Sequence, residues 1–145
     1  MLTVAQRVSD ASVTINDETI ANIGQGLLIL CGFEKQDTDE TLKRMVKKCL
    51  NYRIFSDAQG KMNLSLKDVG GSLLLVPQFT LLAETERGLR PSFTKGASPD
   101  IGRALFKALI EHAREQYPHV AYGSFGADMQ VRLCNDGPVT FILSF

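Results

Sequence analysis

The chain has 145 residues, of which 44% are hydrophobic and 22% are charged, a composition typical of one compact domain with its own core. Its 16 basic and 16 acidic residues cancel, which disfavours a protein that coats nucleic-acid phosphates but allows a pocket for one nucleic-acid end. The sequence has no apolar leader segment and no run of about 18 apolar residues, so we expect a cytoplasmic protein that binds neither membranes nor DNA.

The first third of the chain alternates between short strand-like runs and one helix. Residues 2–8 and 13–15 predict two short strands, and the polar pair Asn16-Asp17 predicts the turn that follows. The glycine-flanked apolar run 26–33 predicts a strand covered on both faces.

The clearest helix begins after Asp37 or Thr38, either of which can cap it, and carries acids in its first turn. One face is apolar at helical spacing, with Leu42, Met45, Val46, Cys49 and Leu50. The other face is basic, with Lys43, Arg44, Lys47 and Lys48. We interpret this basic face as solvent-exposed surface, with RNA contact as the alternative.

The middle of the chain combines a short strand at 52–55, a loop at 57–63 and a strand near 72–83. Pro77, Gln78 and Thr80 interrupt the last strand, which indicates either a bulge or edge, or backbone N–H groups aimed at a substrate. The polar loop 84–97 that follows is of a length that is often functional.

A second helix is predicted to begin at Ser98-Pro99-Asp100, where a cap, a proline and an acid coincide. His112 lies on its apolar side, and we expect it to be packed or half-exposed rather than catalytic.

The end of the chain predicts two alternating strand segments, 129–133 and 139–145, separated by a turn at Asn-Asp-Gly-Pro. The Gly137-Pro138 bond is either that of a plain turn or a cis bond that presents bare carbonyl oxygens. Together these elements predict a single α+β domain, residues 1–145, of mainly antiparallel sheets with two principal helices packed on one side.

Conventional catalytic and metal motifs are missing from the sequence. The three cysteines, Cys31, Cys49 and Cys134, stand among apolar residues far from both histidines, which predicts reduced buried thiols and no metal or cofactor. The sequence has no nucleophile elbow, no Walker loop and no zinc-protease motif. We therefore do not expect side-chain acid-base catalysis to be the main source of any enzymatic activity.

Several long motifs nevertheless resemble one family, the D-aminoacyl-tRNA deacylases, formerly called D-tyrosyl-tRNA deacylases. The motifs are QFTL at 78–81, TERGLRPSFTKGASP at 85–99, NDGPVTF at 135–141, QRV at 6–8, NYRIFSDAQGKMNLSL at 51–66 and FGADMQV at 125–131. The resemblance implies a layered β/β/α homodimer with active sites at the subunit interface. It also implies hydrolysis of the ester between a D-amino acid and the 3′-terminal ribose of tRNA, with L-amino acids spared and glycine accepted.

The resemblance also implies roles for particular residues. Gly137 and Pro138 correspond to a cis pair that enters the partner's site and excludes L side chains by steric clash. Arg7 corresponds to the arginine that braces this pair, while Phe125 and Met129 correspond to residues lining the pocket of the terminal adenine.

Two chemical mechanisms remain open at this stage. Thr80 matches a proposed nucleophile, but no nearby side chain in the sequence would activate it. In the alternative, backbone amides at Gln78, Phe79 and Thr80 stabilise the oxyanion while the ribose 2′-OH helps to activate water. Pro77 departs from the family, which usually has serine there. A binding module without catalysis, or a scaffolding dimer, are the competing classes of function.

Overall fold

The computed structural model describes residues 1–86 and 88–145. The strands are β1 Leu2–Ile15, β2 Glu18–Ile23, β3 Gly26–Gly32, β4 Phe55–Ser56, β5 Met62–Leu64, β6 Ser72–Pro77, β7 Val120–Tyr122 and β8 Gln130–Ser144. The helices are α1 Asp39–Asn51, α2 Leu66–Val69 and α3 Pro99–Gln116, and a 3₁₀ helix covers Phe79–Leu82. No helix in these two ranges is long and apolar enough to cross a membrane.

The main sheet has the strand order β2-β1-β3-β6-β7, with β8 paired to the other edge of β1. The pairings of β1 are antiparallel, whereas β3-β6 and β6-β7 are parallel. A separate antiparallel hairpin joins β4 and β5, so the predicted strand at 52–55 is reduced to its last residue and Ser56. The predicted α+β class with mainly antiparallel pairing is confirmed.

The first strand is longer than predicted, because the two expected runs form one strand of 14 residues. Its first half pairs with β3 and its second half with β2, while β8 follows both halves along the opposite edge. Asn16 and Asp17 have φ of 49° and 62°, which suits a two-residue hairpin turn and confirms the predicted one.

The predicted turn at 135–138 is wrong, since β8 continues through these residues against β1. The pairing shifts register between Gln6 and Val8 and again between Val8 and Asp10, so the extra residues form an irregularity within the strand. The Asn135 side chain accepts from the N–H of Val139 at 2.7 Å, a local bond that replaces ladder pairing. The Gly137–Pro138 peptide bond is cis.

The two long helices pack on the same face of the sheet, as predicted. Thr38 caps α1 and accepts from the N–H of Thr41, and the five apolar residues predicted for α1 are all buried. Their burial contributes on the order of 10 kcal/mol before chain entropy is subtracted. His112 of α3 is half-buried and contacts Asp39 of α1, which confirms its prediction as a packing residue.

The opposite sheet face buries a second cluster, which contains Val8, Ala11, Val13, Ala21, Ile23, Leu28, Leu74 and Val76. Because β3 and β6 lie between the two clusters, their side chains are apolar on both faces. The strand expected to be covered on both faces is therefore confirmed in β3.

Two of the three cysteines are buried, as predicted. Burial raises the pKa of the Cys31 thiol well above its usual value and that of Cys49 to about 12. The prediction is wrong for Cys134, which is exposed because it lies on β8, whose residues are largely solvent-accessible.

Candidate active site

The site begins where β6 ends. The strand predicted to reach residue 83 stops at Pro77. The N–H of Gln78 still donates to the carbonyl of Cys31 at 2.7 Å, in the register of the β3–β6 ladder, and the chain then turns into the 3₁₀ helix. The N–H of Leu81 donates to the Gln78 carbonyl at 3.3 Å. The apolar residues after Thr80 therefore belong to a helical turn rather than to a strand.

Proline at position 77 leaves the bond between β6 and β3 at the next residue intact. Successive N–H groups of a strand point to opposite neighbours, and that of Gln78 points to β3. An N–H at position 77 would point towards β7 on the other side of the strand. β7 ends at Tyr122. The N–H of the next residue, Gly123, donates to the Leu75 carbonyl of β6 at 2.8 Å. A proline is therefore compatible with this strand end.

Two polar side chains, those of Gln78 and Thr80, follow Pro77. The side-chain amide of Gln78 donates to the hydroxyl of Thr80, and no other hydrogen bond of that hydroxyl occurs in the described part of the chain. An amide donor cannot take a proton from a hydroxyl, so this contact orients Thr80 without activating it.

Fewer backbone N–H groups of residues 78–80 are available to a substrate than the sequence predicted. The N–H of Gln78 is committed to Cys31, which corrects its expected role as a donor to substrate. Within residues 1–86 and 88–145, no hydrogen bond engages the N–H of Phe79 or of Thr80. Both residues are exposed, and Phe79 lines a cleft beside this turn.

Two adjoining clefts open beside this turn. The first, of about 290 Å³, lies between residues 76–79 and residues 125–131, and both Phe125 and Met129 line it. The second, of about 500 Å³, lies between Phe79, Phe125 and residues 93–99. The structure thus brings the predicted residues Gln78, Phe79, Phe125 and Met129 together, and Thr80 directly follows them.

The position of Phe125 depends on a glycine inside α3. A Cβ atom at Gly102 would lie 2.8 Å from Cζ of Phe125, so only glycine lets the ring approach the helix this closely. The Arg103 guanidinium lies 5.3 Å from the same ring centroid, and the Phe106 ring lies at 6.4 Å. Sequence reasoning did not select Gly102, although a glycine inside a helical pattern signals close packing.

The loop after the 3₁₀ helix closes the second cleft. The rings of Phe79 and Phe93 meet edge to face, with centroids 4.9 Å apart. Glu84 pairs with Ser92 through backbone hydrogen bonds, and its carboxylate lies 2.6 Å from the Lys95 ammonium, which lowers the pKa of Glu84. Phe93 was not singled out from the sequence, although the length of the loop pointed to this segment.

Gly137 and Pro138 lie on β8, in a part of the chain that Arg7 holds. The Nε of Arg7 donates to the carbonyl of Asp136 at 2.8 Å, and its Nη1 donates to the carbonyl of Ile54 at 2.7 Å. The Arg7 side chain is 9% exposed. Neither Gly137 nor Pro138 is among the described residues that line the two clefts. A single copy of the chain therefore holds these two groups of predicted residues in separate places.

The described residues contain no cluster of three histidine, cysteine, aspartate or glutamate side chains that could hold a metal ion. The two clefts present the aromatic rings of Phe79, Phe93 and Phe125.

The chain is similar to known proteins over its whole length. A family model described as "D-Tyr-tRNA(Tyr) deacylase" matches residues 4–144. A protein of Legionella pneumophila (strain Corby) named "D-aminoacyl-tRNA deacylase" is 61% identical over 145 residues, which covers 100% of both chains. A protein of the same name from Teredinibacter turnerae is 57% identical over 143 residues, which covers 99% of each chain.

Two solved structures have the same fold. A "c-Myc DNA Unwinding Element Binding Protein" is 38% identical and superposes with a TM-score of 0.95 over 100% of this chain and 99% of that chain. A probable eukaryotic D-amino acid tRNA deacylase is 19% identical, with a TM-score of 0.86 over 98% of this chain and 97% of that chain.

Proposed function

The chain belongs to the D-Tyr-tRNA(Tyr) deacylase family, and from this premise we propose that it hydrolyses the ester bond of D-aminoacyl-tRNA, and of glycine attached to tRNA, in the cytoplasm. The products are a free amino acid and tRNA with its 3′-terminal hydroxyl restored. The observation that carries the proposal is the match to family members over the whole chain, at 61% identity to one of them.

The cleft of about 290 Å³ is the proposed pocket for the terminal adenosine. Its walls supply the Phe125 ring and the Met129 thioether, and the N–H of Ser124 donates to the Met129 sulfur at 3.3 Å. Stacking of a base on an aromatic ring contributes about 1–3 kcal/mol. Recognition of one nucleotide end also suits a chain with zero net charge, which is why we do not extend the proposal to duplex DNA.

The proposed chemistry uses backbone donors. The unengaged N–H groups of Phe79 and Thr80 would bind the ester carbonyl oxygen as it becomes negative, an interaction worth about 3–4 kcal/mol of the barrier. Water, activated with help from the ribose 2′-OH, adds to the carbonyl carbon. The bond to the ribose 3′-oxygen then breaks, and this oxygen leaves with a proton. Thr80 positions the substrate or water, since its described partner is an amide rather than a base.

We propose that a second copy of the chain completes the site by contributing Gly137 and Pro138, whose carbonyls would hold the substrate α-amino group and leave no space for an L side chain. The separation of this pair from the clefts of its own subunit supports this arrangement. So does the outer edge of β8, a 15-residue strand that pairs within the described chain only with β1. Ile142 on this strand is 73% exposed. A long exposed edge strand with an apolar side chain favours association with another chain.

The central experiment compares hydrolysis of D-Tyr-tRNA with hydrolysis of L-Tyr-tRNA. We expect rapid release from the first and almost none from the second. Equal rates, or no release from either, would refute the proposed function. Tight binding of D-aminoacyl-adenosine without turnover would instead identify a binding module.

The mechanism is tested separately with a substrate whose terminal 2′-OH is replaced by hydrogen and with Thr80→Ala. We expect the altered substrate to react poorly, whereas Thr80→Ala keeps kcat within about tenfold of the wild type. A loss of 10³-fold or more would favour Thr80 as the nucleophile. Thr19→Ala, on β2 and outside both clefts, controls for general effects of losing an exposed threonine.

A further inference from the structure

A third groove lies on the other side of Phe125 and has no part in the proposed chemistry. It measures about 360 Å³ and runs between the outer face of α3 and the segment 122–125. Phe125 lines this groove as well as both clefts described above, so the three spaces meet at one aromatic ring. A chain bound with its end in the first cleft can therefore continue past this ring into the groove.

Positive charge is distributed along the groove. The charged lining residues are Arg103, Lys107, Glu111 and Arg114, which leaves a net charge of +2 in a chain whose formal net charge is zero. The acid is a weak partner, since the Lys107 ammonium lies 4.0 Å from the Glu111 carboxylate. No carboxylate in the described ranges lies within 4.0 Å of Arg103 or Arg114.

The cations also occur at intervals rather than at one point. Arg103 and Lys107 are separated by about 6 Å along the helix axis, and Lys107 and Arg114 by about 10 Å. On the facing wall, the ring of Tyr122 is 40% exposed at the end of β7. Spaced cations with an exposed aromatic ring match the way proteins bind single-stranded nucleic acid, through phosphates and base stacking.

We propose that this groove binds the unpaired nucleotides that precede the terminal adenosine of the tRNA substrate. Lys107 and Arg114 contact their phosphates, Tyr122 stacks on a base, and Arg103 holds the junction through its bond to the Phe125 carbonyl at 3.3 Å. The proposal rests on the proposed function for the identity of the ligand, while the charge pattern and the continuity with the cleft are independent of the reaction.

The test uses the double variant Lys107→Gln/Arg114→Gln and a deacylated stem-loop RNA that ends in the single-stranded 3′ overhang of tRNA. Fluorescence anisotropy is measured at several salt concentrations. We expect affinity to fall at least tenfold, and the slope of log K against log salt to become shallower by about 1.4, since each single-strand phosphate contact contributes about 0.7. The control Lys61→Gln/Lys67→Gln removes the same charge from exposed positions outside these clefts and should leave both values near wild type.

Kinetics then separate the groove from the reaction. With D-aminoacyl-tRNA we expect the variant to show a KM about tenfold higher with kcat within twofold, whereas D-aminoacyl-adenosine, which ends before the groove, is hydrolysed as by the wild type. Wild-type affinity and salt slope in the variant, an equal loss in the control, or an equal loss with D-aminoacyl-adenosine would each overturn the proposal. If the wild type hydrolyses neither substrate but binds the RNA through Lys107 and Arg114, the proposed function fails and the groove assignment stands.

Discussion

Arg7 offers the most direct test of how the β8 segment is held. Its side chain is 9% exposed and donates two hydrogen bonds to backbone carbonyls, those of Ile54 and Asp136. It also lies 3.3 Å from the Asp136 carboxylate. The informative substitutions are Arg7→Met, which removes both donors, and Arg7→Lys, which keeps the charge but loses the planar fork.

The magnitude follows from the number and burial of these bonds. A hydrogen bond from a charged donor contributes about 1.5–3 kcal/mol, and the bond to Ile54 is fully buried. Water can partly replace the bond to Asp136, whose side chain is 52% exposed. We therefore expect Arg7→Met to lower the free energy of unfolding by about 3–5 kcal/mol. Arg7→Lys should lower it by about 2 kcal/mol, since one ammonium reaches one carbonyl.

Urea unfolding measures these differences, and the ratio of D-Tyr-tRNA to L-Tyr-tRNA hydrolysis gives the functional readout in the folded Arg7→Lys protein. We expect this ratio to fall, because Gly137 directly follows the carbonyl that Arg7 holds. Arg53→Lys is the matched control, since exposed Arg53 donates to the Asn63 carbonyl at 2.8 Å, and it should cost under about 0.5 kcal/mol. A wild-type urea midpoint and an unchanged ratio in Arg7→Lys would refute the reasoning.

Three further predictions concern packing, titration and the strand end. Gly102→Ala should raise KM for D-aminoacyl-tRNA about tenfold with little change in kcat, because the new methyl group displaces the Phe125 ring; steady-state kinetics that show a wild-type KM would contradict this. Burial disfavours the Cys49 thiolate and raises the pKa of this thiol to about 12. The contribution of the protonated thiol to the free energy of unfolding is therefore complete below the unfolded pKa of about 8.5 and is lost as the pH rises towards 12. The free energy of unfolding, from urea melts, should therefore fall above pH 9 more steeply in the wild type than in Cys49→Ala, and parallel profiles would contradict this. Pro77→Ser should lower stability by about 0.4–1 kcal/mol through unfolded-chain entropy and leave kcat/KM within threefold, whereas a large gain in activity would show that the serine hydroxyl contributes to the reaction.

The end of β6 shows what hydrophobic periodicity can and cannot predict. The buried residues before Pro77 were recognised because four successive apolar residues need cover on both faces. The same criterion extended the strand through Leu81 and Leu82, which in fact belong to the 3₁₀ helix. What ends the strand is the turn of the chain into the 3₁₀ helix, closed by the bond from the Leu81 N–H to the Gln78 carbonyl, and hydrophobic periodicity does not mark where that turn begins.

The β8 segment shows that tertiary contacts can also override a strong local turn pattern. Asn, Asp, Gly and Pro in sequence are typical of a turn, and residues 135–138 were predicted accordingly. Here Arg7 and the Asn135 side chain satisfy the local backbone groups, so the strand can pass through as an irregularity. The exposure of Cys134 follows from the same geometry. Phe125 and Met129, in contrast, were grouped through the family resemblance, and both line one cleft, while their role at a terminal adenine stays a prediction.

The contact between Gly102 and Phe125 also constrains how the sequence can diverge. Any side chain at position 102 would occupy space that the ring now fills, so a change there requires a smaller residue at position 125. Among relatives, the two positions should therefore covary. Those that lose the glycine should also have lost the aromatic surface on which the cleft and the groove converge, and with it the nucleotide contact proposed for that ring.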